Sequence, residues 1–252
     1  MEFFVVIGFL LVLIGLIYSA SPRRKSRTVN TASTPQRGSS APKDIANTLF
    51  EKPPSKQEVI DSCDTVVLSS LLPKQFIVLD LETTGLDPLR DEIIEFGAMR
   101  ISLDSIKYDT FQTLVKPERR VPKKITEITA ITQEMVDMQG IELREALIQF
   151  IEFIGELPIV TFNAEFDMGF VYSAARKYGL SVNNRYTCAL KRARRAWPNL
   201  PSYKLSYLAE MAKLSNDETH RALGDCKRAA IIFAAATAIL NQKVRWSKPP
   251  IG

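Results

Sequence analysis

Residues 76–85 read FIVLDLETTG, and the fold follows from this stretch. Four consecutive apolar residues, Phe76, Ile77, Val78 and Leu79, predict a buried strand, and side chains two apart on a strand share a face. Asp80 and Glu82 are therefore presented side by side where that strand ends. The stretch contains no Lys or Arg to neutralise them. Two like charges held so close repel, and a divalent cation is the commonest way to make the arrangement favourable. The pair predicts half of a metal site.

Later acids are candidates for the other half. Asp167 lies in FNAEFDMGF, just after the apolar run Pro158-Ile159-Val160. Asp225 lies in HRALGDCKRAA, five positions after His220, the only histidine of the chain. On a regular helix those two are about one and a half turns apart, at roughly 3.6 residues per turn, and do not share a face. With His220 in the loop before the helix, both reach one pocket. One histidine cannot build a zinc cluster, and Cys63, Cys188 and Cys226 have no C-x-x-C spacing. Carboxylates as ligands favour Mg²⁺ or Mn²⁺.

The order Asp-x-Glu, then Asp in N-A-x-F-D, then His-x4-Asp, resembles the DEDDh 3′→5′ exonucleases, the family of the epsilon subunit of bacterial DNA polymerase III and RNase T. The blocks DLETTGLDP, DEIIEFGAMRI, ITEITAITQEMV, FNAEFD, YKLSYLAE and HRALGDC carry the resemblance from about residue 75 to residue 240. The chain departs from the family pattern twice. Phe162 stands where a histidine often precedes the Asn, and Ala130 where I-T-G-I-T has glycine. Neither position is a metal ligand, so the departures bear on how a terminal nucleotide is held.

The resemblance implies a role for each acid. Asp80, Glu82, Asp167 and Asp225 would hold two divalent cations, Mg²⁺ or Mn²⁺, about 3.5–4 Å apart around the scissile phosphate. Asp80, ending the central strand, would bridge them. His220 would take the proton of the attacking water, with an ordinary pKa of about 6.5 suited to that task. Thr83 and Thr84 would adjoin the terminal nucleotide, or else serve the turn by hydrogen bonding, and Thr129 would approach the same nucleotide. Single-stranded DNA or RNA 3′ ends are the implied partners. A non-cleaving module that grips nucleic-acid ends is the competing class, and a polymerase or repair partner is not specified by any motif.

Around this block the α/β reading extends. DEIIEFGAMRI and YDTFQTLVKP predict two further strands in an antiparallel meander, with turn chemistry at Gly85 and Asp87-Pro88. LREALIQFIEFIGEL has helical spacing and a stop at Gly155, PIVTFN predicts a strand entering a helix near Ala164, and HRALGDCKRAAIIFAAATAIL predicts a long final helix. Combined with the resemblance, the expected fold is ribonuclease H-like, α/β, with a mixed central sheet of about five strands flanked by helices. In such open sheets the ligand crevice lies beyond the carboxyl ends of the strands.

Several residues read less sharply. Glu95 and Glu165 read as facing solvent or supporting loops, and Cys226 as a small packing residue. KRARRAW, residues 191–197, reads as a solvated helix face, or as a phosphate-tracking run with Trp197 as a stacking platform.

The 252 residues also include appendages. Residues 3–22 carry no charge and are rich in Phe, Val, Ile and Leu; at about 1.5 Å per residue they span a bilayer core of roughly 30 Å. A cleaved signal peptide would want a positive n-region, whereas Arg23, Arg24, Lys25 and Arg27 follow the apolar run. The expectation is one N-terminal transmembrane helix, 1–22, with the catalytic domain in the cytoplasm beneath the inner membrane. A flexible basic linker, 23–70, is expected next, then the exonuclease domain, 71–243, and a C-terminal tail, 244–252. Residues 21–60 hold eight Lys/Arg against three Asp/Glu, while residues 61–252 hold twenty-five against twenty-four. The basic character therefore belongs to the linker, with membrane lipid head groups beside the anchor as its partner.

Overall fold

The computed structural model describes residues 68, 70–105, 108–212, 214 and 221–249. The anchor expected over residues 3–22, nearly all of the expected linker, and His220 lie outside them. Among the described residues no helix is long and apolar enough to cross a membrane.

Five strands form one sheet: β1 (Gln75–Thr83), β2 (Ile93–Ser102), β3 (Asp109–Leu114), β4 (Ile159–Thr161) and β5 (Tyr186–Cys188), in the order β3-β2-β1-β4-β5. The first three are antiparallel, as the meander predicted, and β4 and β5 join in parallel. The FIVLDLET segment is thus the centre of a mixed sheet. The helices among the described residues are α1 (Lys123–Thr129), α2 (Gln133–Gln139), α3 (Leu143–Ile154), α4 (Ala164–Lys177), α5 (Ala189–Ala196), α6 (Leu205–Met211) and α7 (Ala222–Leu240). Helix α3 stops at Gly155, whose φ of 50° suits a residue without a Cβ.

Alternation along β1 sorts its side chains. Ile77, Leu79 and Leu81 face one core with Phe96, Phe150, Met168 and Val171, built from α3 and α4. Phe76 and Val78 face a second core with Met99, Cys226, Ala229 and Phe233, built from α7. Asp80 and Glu82 continue that second face past its apolar part, so the first turns of α7 meet them there. Cys226 is buried between strands and helix, its thiol directed at Gly97 O, 3.1 Å, and Val78 O, 3.4 Å, in keeping with a packing role.

Gly97 lets the helix come that close. It pairs with Asp80 across β1 and β2, and a Cβ there would fall 2.5 Å from Ala222 C and 2.6 Å from Leu223 N. The first turn of α7 therefore rests directly on the strand that flanks Asp80. The tail after α7 packs back as well: Val244 is buried, and Ser247 exchanges backbone hydrogen bonds with Tyr186 of β5.

Candidate active site

Three of the predicted acids converge. Oxygens of Asp80, Glu82 and Asp225 all lie within 4.8 Å of one another. Asp80 and Glu82 come from β1, while Asp225 comes from the first turn of α7, where its N–H donates to Arg221 O at 3.0 Å. Asp167, in the first turn of α4, is buried at the adjoining end of β4. The Thr161 hydroxyl donates to its Oδ2 at 2.9 Å, and the Leu81 backbone also stabilises its charge, tying it to β1. Asp80, Glu82 and Asp225 thus meet at the carboxyl end of β1, with Asp167 adjoining at the end of the parallel strand β4.

Their protons report the crowding. Burial, then the charges of Asp167, Asp225, Glu82 and Glu95, hold the Asp80 carboxyl well above the ordinary range. Glu82 is pushed up to about 8, by burial first and next by Asp225. Burial pushes Asp167 up to about 7, against the lowering effect of its Thr161 and backbone hydrogen bonds. Asp225 Oδ1 accepts from Arg228 Nη2 at 2.6 Å and from its Nε at 3.0 Å, and Arg228 itself is buried. Among the described residues the clustered donors are carboxylate oxygens, three of them, on Asp80, Glu82 and Asp167, carried above their ordinary pKa, and such a set fits a hard divalent cation, which would relieve the repulsion that helps to raise them.

The neighbouring predicted residues shape the strand end. Thr83 donates its hydroxyl to Gly85 O at 2.6 Å, and the Thr84 hydroxyl accepts from Glu92 N at 2.9 Å. Both are buried, so their hydroxyls serve the turn, while Leu86 and Leu89 at its tip are exposed. Thr129 is buried too; its hydroxyl donates to Ile125 O and accepts from Ile131 N, closing the end of α1. Ala130 follows with φ 58°, in the left-handed region that favours glycine, which gives the physical meaning of its departure from I-T-G-I-T. Phe162 directs its ring into the apolar clusters around Val160 and Trp197 rather than supplying a polar group.

Two expectations are overturned. Trp197 is 5% exposed and packs against Ala193, Leu208 and Ile232, so it is no stacking platform. In the same run Arg192 is buried on Thr237 and Gln242, Lys191 pairs with exposed Glu165, and Arg195 reaches Gln242. Glu95 does not face solvent: it is fully buried on β2, opposite Glu82. Sequence reasoning missed it, although a lone charge inside the apolar run IIEFGAM is itself a signal, since a buried charge requires partners. A cavity of about 480 Å³ opens beside the turn after β1, but none of the four acids lines it, and its Lys177 and Arg119 are paired with Glu118 and Glu92.

Comparison with known proteins agrees with this geometry. The exonuclease family RNase T matches residues 77–233. The PolC-type DNA polymerase III of Caldanaerobacter subterraneus subsp. tengcongensis is 40% identical over 162 residues, 64% of this chain and 11% of that protein. The chain thus spans about a tenth of that polymerase. The DNA polymerase III subunit epsilon of Aquifex aeolicus is 36% identical over 165 residues, 65% of this chain and 81% of that subunit. Among solved structures, the nuclease domain of 3′hExo, a DEDDh family member bound to rAMP, superposes with a TM-score of 0.57 at 21% identity. That superposition covers 69% of this chain and 96% of that domain.

Proposed function

Since this chain belongs to the RNase T exonuclease family, we propose that it is a metal-dependent 3′→5′ exonuclease. It hydrolyses phosphodiester bonds at single-stranded ends and releases nucleoside 5′-monophosphates. The observation that carries the reading is the convergence of Asp80, Glu82 and Asp225 within 4.8 Å, with Asp167 adjoining. When bound, two divalent cations, Mg²⁺ or Mn²⁺, supply water activation and stabilisation of the leaving 3′ oxygen. Asp80, Glu82, Asp167 and Asp225 are the residues that hold them, Asp80 lying at the centre of the set. His220 accepts the proton of the attacking water as general base, as the family order of motifs implies. Thr83 and Thr84 form the wall against which the terminal nucleotide rests, and Thr129 shapes the neighbouring end of α1.

DNA is the favoured substrate, because the relatives at 36–40% identity are parts of DNA polymerases. Matched 5′-labelled DNA and RNA oligonucleotides test this directly. DNA should be shortened faster in Mg²⁺ or Mn²⁺, with no shortening in EDTA; faster RNA turnover would reverse the assignment. A non-cleaving end-binding module is disfavoured, because none of the family acids is missing.

Residues 3–22 anchor the chain in the cytoplasmic membrane, with the nuclease on the cytoplasmic side. The support is twenty uncharged residues followed at once by Arg23, Arg24, Lys25 and Arg27, and the basic linker adds attraction to anionic lipid. Full-length protein should sediment with membranes and resist high salt, and removal of residues 1–55 should leave a soluble, equally active enzyme. Recovery of full-length protein in the soluble fraction would exclude the anchor.

A further inference from the structure

One carboxylate at this site does not belong to the ligand set. Glu95 lies opposite Glu82 in the β1–β2 register and is fully buried. Its charge is met by the Arg221 guanidinium, with Nη2 2.6 Å from Oε1 and Nε 3.2 Å from each oxygen. The N–H of Ala222 donates to Oε2 at 3.0 Å, and Gln112 Nε2 from β3 donates to Oε1 at 3.0 Å. A carboxylate bonded by a forked guanidinium and a helix-terminal N–H is held in one orientation. It therefore binds the entry of α7 to β2 at two successive residues. Two positions further along β2, Gly97 offers the bare backbone on which Ala222 and Leu223 rest.

We propose that Glu95 is a positioning residue, which through Arg221 and the Ala222 N–H fixes the first turn of α7 and so holds Asp225 against Asp80 and Glu82. The inference rests on the exonuclease reading of those acids. Asp225 donates its backbone N–H to Arg221 O, so the residue gripped by Glu95 is also the one that opens the helical turn carrying the ligand. A shift of Arg221 and Ala222 away from β2 would carry Asp225 away from the β1 carboxylates. Groups that orient a ligand without touching the metal typically change metal affinity by about 10–100-fold when lost.

Charge alone gives the opposite expectation for Arg221. A cation beside a metal site weakens cation binding by repulsion, so its removal would tighten Mn²⁺ if the field were the whole effect. The clamp requires that removal weaken Mn²⁺. Arg221→Lys keeps the charge and loses the fork, so the field predicts no change and the clamp predicts a loss.

The test is Mn²⁺ binding to full-length protein, followed by the paramagnetic resonance signal of free Mn²⁺, with folding of each variant checked by circular dichroism. Arg221→Lys, Arg221→Gln and Glu95→Gln should each bind Mn²⁺ about tenfold or more weakly than wild type. Tighter binding by Arg221→Gln, or binding by folded Arg221→Lys within about twofold of wild type, would overturn the clamp. If wild type itself takes up no Mn²⁺, the metal-site reading fails instead, and the two failures are distinct. Should Arg221→Gln leave Glu95 uncompensated and fail to fold, Arg221→Lys decides the matter, because it preserves the buried ion pair's charges.

Discussion

Replacing Asp80 by Asn should stabilise the metal-free fold while abolishing its response to metal. Oxygens of Asp80, Glu82 and Asp225 lie within 4.8 Å of one another. At an effective dielectric of about 20–40, two like charges at that separation repel by roughly 2–3 kcal/mol. The neutral amide would remove that repulsion wherever both partners are ionised. The pH window follows from the protons. Glu82 has an ordinary pKa of 4.5 and a folded value of about 8, and Asp167 goes from 3.8 to about 7. A carboxyl that holds its proton more tightly in the folded chain favours the fold below its ordinary pKa. That contribution is lost as pH rises through the folded value, at up to about 1.4 kcal/mol per pH unit for each proton. Wild type in EDTA should therefore lose stability between about pH 5 and pH 8, and Mn²⁺ should restore it by binding the folded state. For a domain of this size one kcal/mol moves Tm by about 2–4 °C, so Asp80→Asn in EDTA near pH 9 should melt roughly 5–10 °C above wild type. It should gain little from added Mn²⁺. Differential scanning calorimetry across pH, with EDTA or Mn²⁺, gives all four numbers. A wild type whose metal-free Tm rises from pH 5 to pH 8, or an Asp80→Asn variant that melts at or below it at high pH, would show that the acids do not repel in the metal-free fold.

Other consequences concern single residues. His220→Ala should keep Mn²⁺ and oligonucleotide binding but lose about 10²–10⁴-fold in kcat, and the wild-type rate should climb with pH through the histidine's titration; near-normal turnover would remove His220 from the chemistry. Trp197→Ala should cost about 3–5 kcal/mol in urea unfolding without weakening single-strand binding by the folded protein, because the indole is buried in the α5–α6–α7 core. A loss of binding with stability intact would restore the stacking role. Ala130→Gly should raise stability by up to about 1 kcal/mol, since φ of 58° strains a residue with a Cβ and glycine's greater unfolded-state entropy offsets part of that relief; an unchanged or lower denaturation midpoint would contradict it.

The sequence was most legible where burial and periodicity agreed. Val78, Asp80 and Glu82 share one face by simple alternation, and the structure carries that face from the α7 core straight into the acid cluster. The Gly155 stop and the start of α4 at Ala164 could be read from turn chemistry and spacing. Strand β5 was not, because YTC lacks the apolar run that marks β4, and its pairing depends on β4 and on Ser247 far along the chain. KRARRAW misleads for another reason. Its four cations dominate the eye, yet Ala189, Ala193 and Trp197 recur every fourth residue and form the stripe that packs inward, with Arg192 beside them. The partnership of Glu95 with Arg221 joins residues 126 apart, which no local pattern could announce.

Asp80, Glu82 and Asp225 converge at the end of β1 with Asp167 adjoining, the arrangement expected of a 3′ exonuclease. A time course on a 5′-labelled single strand, with full-length protein and Mg²⁺ or Mn²⁺, tests it most directly when the released products are identified alongside. The strand should shorten as a ladder, one nucleotide at a time from the 3′ end, with nucleoside 5′-monophosphates from the first turnover, and neither should appear with EDTA or Asp80→Ala. Internal fragments as the first products, nucleoside 3′-monophosphates, or an intact strand under every metal tested would contradict it.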